Sequence, residues 1–217
     1  MINHYPDASR SEMLSSVPLT AHRVLDVGCA SGGFGELLKR TRPYVQVDGV
    51  EPNPTAAALA RQRLTVVHDG LFPNTIPRSV FQGKYDCVVL NDVIEHVTDP
   101  EPLLVAAREA LRAGGVIVAS IPNVRFAPVV YNLALRGRWD YQDQGVLDRT
   151  HMRFYTRRSM VQLFKDNGLE ILRMRRLNVP GSNRAPRIAK AFETIVRDLS
   201  CPQFAIAASP TDATYDS

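Results

Sequence analysis

The feature that most constrains the fold is a glycine-rich turn that directly follows a short apolar run. Residues 24–35 read VLDVGCASGGFG, so the apolar run ends at Gly28 and the glycines lead into a helical pattern. Glycine permits a tight turn and lets a ligand approach the backbone without a Cβ atom in the way. A strand, such a turn and a helix in this order predict a ligand site at the first strand-to-helix connection of an α/β sheet.

The turn is not a dinucleotide-binding fingerprint. That motif requires G-x-G-x-x-G, and here Gly28 is followed by Cys29 and Ala30, so the second glycine is missing. Asp26 lies at the end of the strand, where a carboxylate would repel a pyrophosphate but attract a positively charged ligand. The turn therefore favours a cationic ligand that carries no phosphate.

Strand-like and helix-like segments alternate through the first half of the chain, which predicts a parallel sheet with helices on both faces. The run from Tyr85 to Leu90 is continuously apolar, as expected for a strand buried on both faces. Gly114 and Gly115 end the helix before the fifth strand. The predicted strands are Arg23–Val27, Val45–Val50, Leu64–Val67, Tyr85–Leu90 and Val116–Ser120, and the predicted helices are Phe34–Arg40, Thr55–Arg63 and Pro102–Leu111, with a loop around Pro73 and Pro77.

After Pro122 the pattern becomes less regular, and residues 123–155 are predicted to form a cap with a short helix at Val129–Leu135. The regular pattern then resumes with the predicted helices Thr156–Asn167 and Pro186–Leu199 and the predicted strands Leu169–Arg176 and Gln203–Ala208. Residues 209–217 are small and polar and are predicted to be a disordered tail. A chain of 217 residues is expected to form a single domain over residues 1–217.

Polar residues follow successive strands in a regular order. Glu51 ends the second strand, the triplet His68-Asp69-Gly70 follows the third, Asn91 follows the fourth, and LRAGG precedes the fifth at residues 111–115. Each residue taken alone also fits an ordinary surface or turn position. Together with the turn, they resemble the motifs of class I S-adenosylmethionine-dependent methyltransferases.

The resemblance implies a Rossmann-like fold: a seven-stranded, mostly parallel sheet with helices on both faces, an antiparallel last strand and a small cap between strands five and six. It also implies that S-adenosylmethionine is the cofactor. In that family the turn backbone holds the methionine part, as Asn91 would, while Glu51 would accept both ribose hydroxyls and Asp69 the adenine amino group. The cofactor-binding residues implied are Asp26, Gly28, Cys29, Ala30, Gly32, Glu51, Pro52, Asn53, Asp69, Gly70 and Asn91.

A second constellation follows Asn91. If residues 91–96 form a helical turn, Asp92, Glu95 and His96 lie on one face, and His151 is a fourth candidate. The arrangement resembles that of O-methyltransferases acting on ubiquinone-precursor catechols or on the 3′-terminal ribose of small RNAs, whose ligands hold a divalent ion such as Mg²⁺. Asp92 stands where those relatives carry Glu. Two alternatives remain open: His151 acts on the acceptor hydroxyl as a base without metal, or the histidines are structural.

The acceptor is predicted to lie under the cap. Residues 137–141 and 147–151 resemble bacterial methyltransferases of cell-surface polysaccharide synthesis, which favours O-methylation of a sugar or glycan hydroxyl, or of a similar small-molecule hydroxyl. Trp139 is a candidate for stacking on a sugar ring, or for ordinary packing. An RNA ribose 2′-O-methyltransferase and a catalytically silent subunit are the alternatives.

Charge is unevenly distributed along the chain. Between Arg153 and Lys190 ten basic residues face two acidic ones, a net charge of +8, although the whole chain carries only +4. This segment predicts contact with an anionic membrane or substrate, or a solvated face, and the chain has no sequence signature of nucleic-acid binding. Three widely spaced cysteines fit neither a disulfide framework nor a zinc site. With no apolar signal core or spanning segment, we expect a cytoplasmic protein, with peripheral contact at the inner membrane surface as an option.

Overall fold

In the computed structural model, which describes residues 9–179 and 198–211, a seven-stranded sheet forms the centre of the molecule. The strands are β1 (Arg23–Val27), β2 (Gln46–Glu51), β3 (Val66–Asp69), β4 (Tyr85–Asn91), β5 (Leu111–Pro122), β6 (Leu169–Leu177) and β7 (Gln203–Pro210). The helices are α1 (Gly33–Thr41), α2 (Pro54–Ala60), α3 (Arg78–Phe81), α4 (Pro100–Ala110), α5 (Ala127–Arg136) and α6 (Arg157–Asp166), with 3₁₀ helices at Ser11–Ser16 and Ile94–His96.

The strand order is β3-β2-β1-β4-β5-β7-β6, and β1 to β5 are parallel. β7 runs antiparallel to both β5 and β6. The predicted fold class is therefore confirmed. The strand order reverses between β1 and β4, and ligands of open α/β sheets bind where such a reversal opens a crevice at the carboxyl ends of the strands.

Adjacent residues of the central strands point into two separate apolar cores. Leu25 and Val88 belong to one buried cluster, whereas Val24 and Val89 belong to the other. This alternation follows from the pleat of a strand, because successive side chains point to opposite faces. Six of the seven residues of β4 are buried, in agreement with the continuous apolar run in the sequence.

Local capping explains where several elements begin. The Asn53 side chain accepts hydrogen bonds from the first turn of α2, and Pro54 supplies a backbone suited to the first helical position. Thr156 and Ser159 form a reciprocal capping box at the start of α6. Both signals are local, so the sequence predicted these two helices to within two or three residues at each end.

The structure differs from the predicted elements at three places. β5 begins directly after α4, at Leu111, so the LRAGG stretch belongs to the strand instead of preceding it. The predicted loop between β3 and β4 contains the short helix α3. β7 extends through Ser209 and Pro210, which we had assigned to the tail. The predicted helix Pro186–Leu199 falls almost entirely outside the described residues, as do residues 212–217.

No helix among the described residues is long and apolar enough to cross a membrane.

Candidate active site

The glycine-rich turn crosses the carboxyl edge of the sheet between β1 and α1. Gly28 has a φ of +69° and Gly32 a φ of +82°, conformations that an L side chain adopts only with strain. A Cβ atom on Gly28 would lie 2.9 Å from Cγ2 of Val93. The amides of Gly28 and Cys29 both donate to the carbonyl of Val50, which ties the turn to β2. Glycine is therefore required here for the path of the backbone.

Glu51 holds the turn from the end of β2. Its side chain is 1% exposed, and its carboxylate accepts the amides of Ala30 and Asn53, each at 2.8 Å. A carboxylate offers about four lone-pair sites, so acceptor capacity remains on both oxygens. Pro52 and Asn53 lie immediately beyond, where the chain turns into α2. Asp69 is the register partner of Glu51 on β3, so the two predicted acids lie side by side.

Asp26 is buried without a matching positive charge. Its side chain is 2% exposed, and Oδ2 has no hydrogen-bond partner among the described residues. Burial, and then the nearby Glu51 carboxylate, raise the pKa of Asp26 to about 7. A positively charged ligand at this edge would remove both penalties.

The remaining predicted contacts differ in how available they are. Both amide atoms of Asn91 are buried and lack a hydrogen-bond partner within the described residues. Asp69 is ion-paired with Arg61, although its carboxylate is still about half exposed. Gly70 follows it with a φ of +137°. Cys29 is buried with its thiol facing the sheet at Gly49, so only its backbone is placed to meet a ligand.

Three of the four predicted metal ligands lie together beyond β4. One ligand atom each from Glu95, His96 and His151 falls within a sphere of mutual distances of 4.8 Å or less. Nδ1 of His96 lies 3.2 Å from the carbonyl of Thr150, and Nδ1 of His151 lies 3.1 Å from the carbonyl of Val146. A carbonyl only accepts, so each Nδ1 is the donor and each neutral ring presents the lone pair of Nε2.

The electrostatics of the cluster favour neutral imidazole and a costly carboxylate. Glu95 is 1% exposed, and neither of its carboxylate oxygens has a hydrogen-bond partner among the described residues. Burial, with a smaller effect of Asp92, raises the pKa of Glu95 well above its ordinary value. Burial also lowers the pKa of His151, and the neighbouring His96 acts in the same direction.

Asp92, predicted as the fourth ligand, does not join this cluster. The expected helical turn begins only at Ile94, and Asp92 has a left-handed φ of +53° that turns its side chain toward the sheet edge. There its carboxylate pairs with Arg10 at 2.6 Å and accepts the hydroxyl of Ser120 at 3.0 Å. The amide of Gln203 also donates to it. The spacing argument was wrong for this residue because the chain between Asp92 and Glu95 is not helical.

Arg10, Gln203 and Tyr155 are site residues that the sequence did not reveal. Arg10 bridges Asp92, Ser120 and Gln203 from the N-terminal segment, and no local pattern connects positions so far apart. Tyr155 lies 7% exposed near Glu95, and its hydroxyl has no partner among the described residues. Burial raises the pKa of Tyr155 to about 12.

The cap packs beside His151. Val129, Val146 and Leu147 form a small buried cluster against which Trp139 and Phe154 pack. The ring centroids of Trp139 and Phe154 are 5.2 Å apart, and those of Phe154 and His151 are 6.2 Å apart. An edge-to-face row of aromatic rings therefore extends from the cap to the histidine pair.

Comparisons with known proteins agree with this geometry. A family model described as a methyltransferase domain matches residues 5–174. The ubiquinone biosynthesis O-methyltransferase of Dinoroseobacter shibae is 27% identical over 164 residues, covering 73% of this chain and 64% of the relative. The trans-aconitate 2-methyltransferase of Variovorax paradoxus is 33% identical over 118 residues, covering 54% of this chain and 45% of that protein. The match thus spans less than two thirds of either relative.

A solved structure shows the same fold. The crystal structure of a possible histamine N-methyltransferase from Thermotoga maritima superposes with a TM-score of 0.64 at 17% identity, covering 91% of this chain and 86% of that one.

Proposed function

This chain belongs to the methyltransferase domain family, and we propose that it transfers a methyl group from S-adenosylmethionine to the hydroxyl oxygen of a sugar or similar small molecule. The observation that carries the cofactor assignment is the buried, unpartnered carboxyl of Asp26 beneath the glycine turn. When bound, the cofactor supplies a methyl group already activated by a sulfonium centre.

The side chains at the carboxyl edge fit the cofactor group by group. Asp26 would face the methionine ammonium, whose positive charge offsets the cost of ionising a buried carboxyl. Glu51 would accept the ribose hydroxyls with the acceptor capacity left on its two oxygens. Asn91 would bond the methionine end with an amide that now lacks partners. Asp69 would accept the adenine amino group, alongside its ion pair with Arg61.

Calorimetric titration with S-adenosylmethionine tests the cofactor assignment. Glu51→Ala removes the ribose acceptor, and we expect binding to weaken by about 1.5–3 kcal/mol. Glu36→Ala is the matched control, because Glu36 is an acid on α1 that pairs with Arg63 outside the proposed ribose site. Equal affinities of the wild type and the Glu51 variant would show that the ribose assignment is wrong.

His151 is proposed to act on the acceptor hydroxyl. Its Nδ1–H is held by a carbonyl, so Nε2 is free to accept a proton, and its lowered pKa keeps the ring neutral at physiological pH. The donor is already activated, so the protein's main tasks are to align the acceptor oxygen and to weaken its O–H bond. The lone pair of His151 serves the second task.

A divalent ion fits the same cluster. Glu95, His96 and His151 would hold it, because the carboxylate lacks partners and both Nε2 lone pairs face the space between the rings. The hydrogen bonds from Nδ1 to carbonyls are those that orient metal-binding histidines. Two imidazoles and one carboxylate suit Mn²⁺, Fe²⁺ or Zn²⁺ better than Mg²⁺, which prefers oxygen ligands. Such an ion would lower the pKa of a coordinated hydroxyl.

The cap and the relatives support an oxygen acceptor carried on a ring. One relative is named an O-methyltransferase, and the row of Trp139, Phe154 and His151 offers aromatic surface next to the proposed base. A methyl-transfer screen with nucleotide sugars, lipid-linked sugars and catechols tests this. Turnover on catechols alone would contradict the sugar assignment, and methylation only of nitrogen acceptors would contradict both.

A further inference from the structure

Helix α5 of the cap exposes an unusual amount of apolar surface. Of its ten residues, only Val129 is buried and Asn132 half-buried. Val130, Tyr131, Leu133 and Leu135 are 37%, 49%, 50% and 74% exposed. At 100° per residue these four side chains cover a face far wider than the stripe of an ordinary surface helix. Contiguous exposed apolar surface of this kind marks an interaction site.

The charges around this face have one sign. α5 contains no acidic residue, and Arg136 and Arg138 follow its apolar face at the carboxyl end. Neither arginine makes an ion pair within the part of the chain that the structure describes, and the guanidinium of Arg136 lies 5.0 Å above the ring of Tyr131. Leucines, a tyrosine and terminal arginines on one short helix are the composition of an interfacial helix that lies on an anionic bilayer.

A second copy of the chain fits this face less well. A helix of ten residues is about 15 Å long. Its exposed face is much smaller than the roughly 800 Å² that each partner contributes to a stable interface. A bilayer needs no such area from one helix, because headgroup attraction to the arginines adds to the burial of the apolar side chains.

We propose that α5 is a membrane-docking helix that binds the surface of an anionic bilayer through Tyr131, Leu133 and Leu135, with Arg136 and Arg138 at the headgroups. The arginines of the basic segment are less available for this contact. Arg153 donates to the carbonyl of Thr98, and Arg175 donates to the carbonyl of Glu12. The docking helix therefore lies in the cap and not along that segment.

The docking helix is directly connected to the candidate site. Val129 on its buried side packs with Val146, whose carbonyl accepts Nδ1 of His151. A lipid-carried acceptor would therefore reach the histidine pair from the docked face. This consequence rests on the proposed function, whereas the docking itself is measurable without any cofactor.

The test is co-sedimentation with vesicles of phosphatidylglycerol and phosphatidylcholine in equal parts, without S-adenosylmethionine. We expect binding at low salt, and at least about tenfold weaker partitioning for the double variant Leu133→Gln and Leu135→Gln. Arg136→Gln with Arg138→Gln should also weaken binding and reduce its salt dependence. Vesicles of phosphatidylcholine alone should bind much less wild-type protein.

Leu19→Gln with Leu172→Gln is the matched control, because both leucines are exposed, at 75% and 58%, and lie outside the cap. It should bind like the wild type, and circular dichroism should show that all variants are folded. The inference is overturned if the wild type does not bind the anionic vesicles, or if the Leu133 and Leu135 variant binds equally well. Sedimentation velocity covers the remaining case: a dimer that this variant dissociates would show that a second copy occupies the face.

Discussion

Replacing Asp26 by asparagine removes the charge of this carboxyl and keeps its shape, and we expect the change to stabilise the cofactor-free protein at alkaline pH. The ordinary pKa of an aspartate is 3.8, whereas that of buried Asp26 is about 7. A shift of about three units corresponds to about 4 kcal/mol, because each unit is worth about 1.4 kcal/mol. The carboxyl is therefore a cost to the empty fold, retained for the ligand that it faces.

The sign of the effect follows from proton linkage. Below its ordinary pKa of 3.8, Asp26 is protonated in both the folded and the unfolded chain. Between 3.8 and about 7, the folded chain keeps a proton that the unfolded chain has released, so the penalty on folding grows with pH in this window. Above this window the penalty is constant. The gain from Asp26→Asn should be up to about 4 kcal/mol near pH 8 and below about 2 kcal/mol near pH 5.

Urea unfolding of the wild type and the variant at these two pH values measures the difference. Asp48→Asn is the matched control: Asp48 is as deeply buried as Asp26, at 2% exposure, but its carboxylate accepts Tyr85 and pairs with Arg23. It should lose stability where the Asp26 variant gains it. The Asp26 variant should also lose affinity for S-adenosylmethionine. A variant no more stable than the wild type near pH 8, or a gain that does not shrink toward pH 5, would refute the reasoning.

Two further predictions concern the histidine cluster. His151→Ala should lower turnover by about 10²–10⁴-fold while cofactor affinity stays unchanged, whereas the control His22→Ala, in the loop before β1, should retain turnover; near wild-type activity of the His151 variant on the true acceptor would show that the residue is structural. If an ion bound by Glu95, His96 and His151 assists the reaction, a chelator should abolish activity and Mn²⁺ or Zn²⁺ should restore it; indifference to chelation would leave His151 as a base without metal.

The cofactor half of the site was predictable because each of its residues follows its own strand. The carboxyl ends of parallel strands meet at one edge, so Asp26, Glu51 and Asp69 needed only correct strand assignments to be placed together. Glu51 and Asp69 are indeed register partners. Errors of one or two residues at strand ends did not matter, because the chemistry sits where the strand gives way to the turn.

The acceptor half was predictable only in part, because it depends on backbone conformations and distant contacts that have no periodic signature. Glu95 and His96 were placed correctly because they share one 3₁₀ turn, and His151 joins them through carbonyl contacts in the cap. Asp92, three residues earlier, was placed incorrectly. A helical reading puts it on the same face as Glu95, but its left-handed φ of +53° rotates the side chain away.

The position of Asp92 also explains the composition of the cluster. Arg10 pairs with Asp92 at 2.6 Å, so this carboxylate is already neutralised by a cation from the N-terminal segment, 82 residues away in sequence. Glu95 is then the only acid within reach of the two imidazoles among the described residues. Its burial without a hydrogen-bond partner leaves two ways to satisfy it: a proton held by its raised pKa, or a bound cation. The first makes the cluster a neutral base site and the second makes it a metal site, so the ionisation state of Glu95 decides between the two mechanisms.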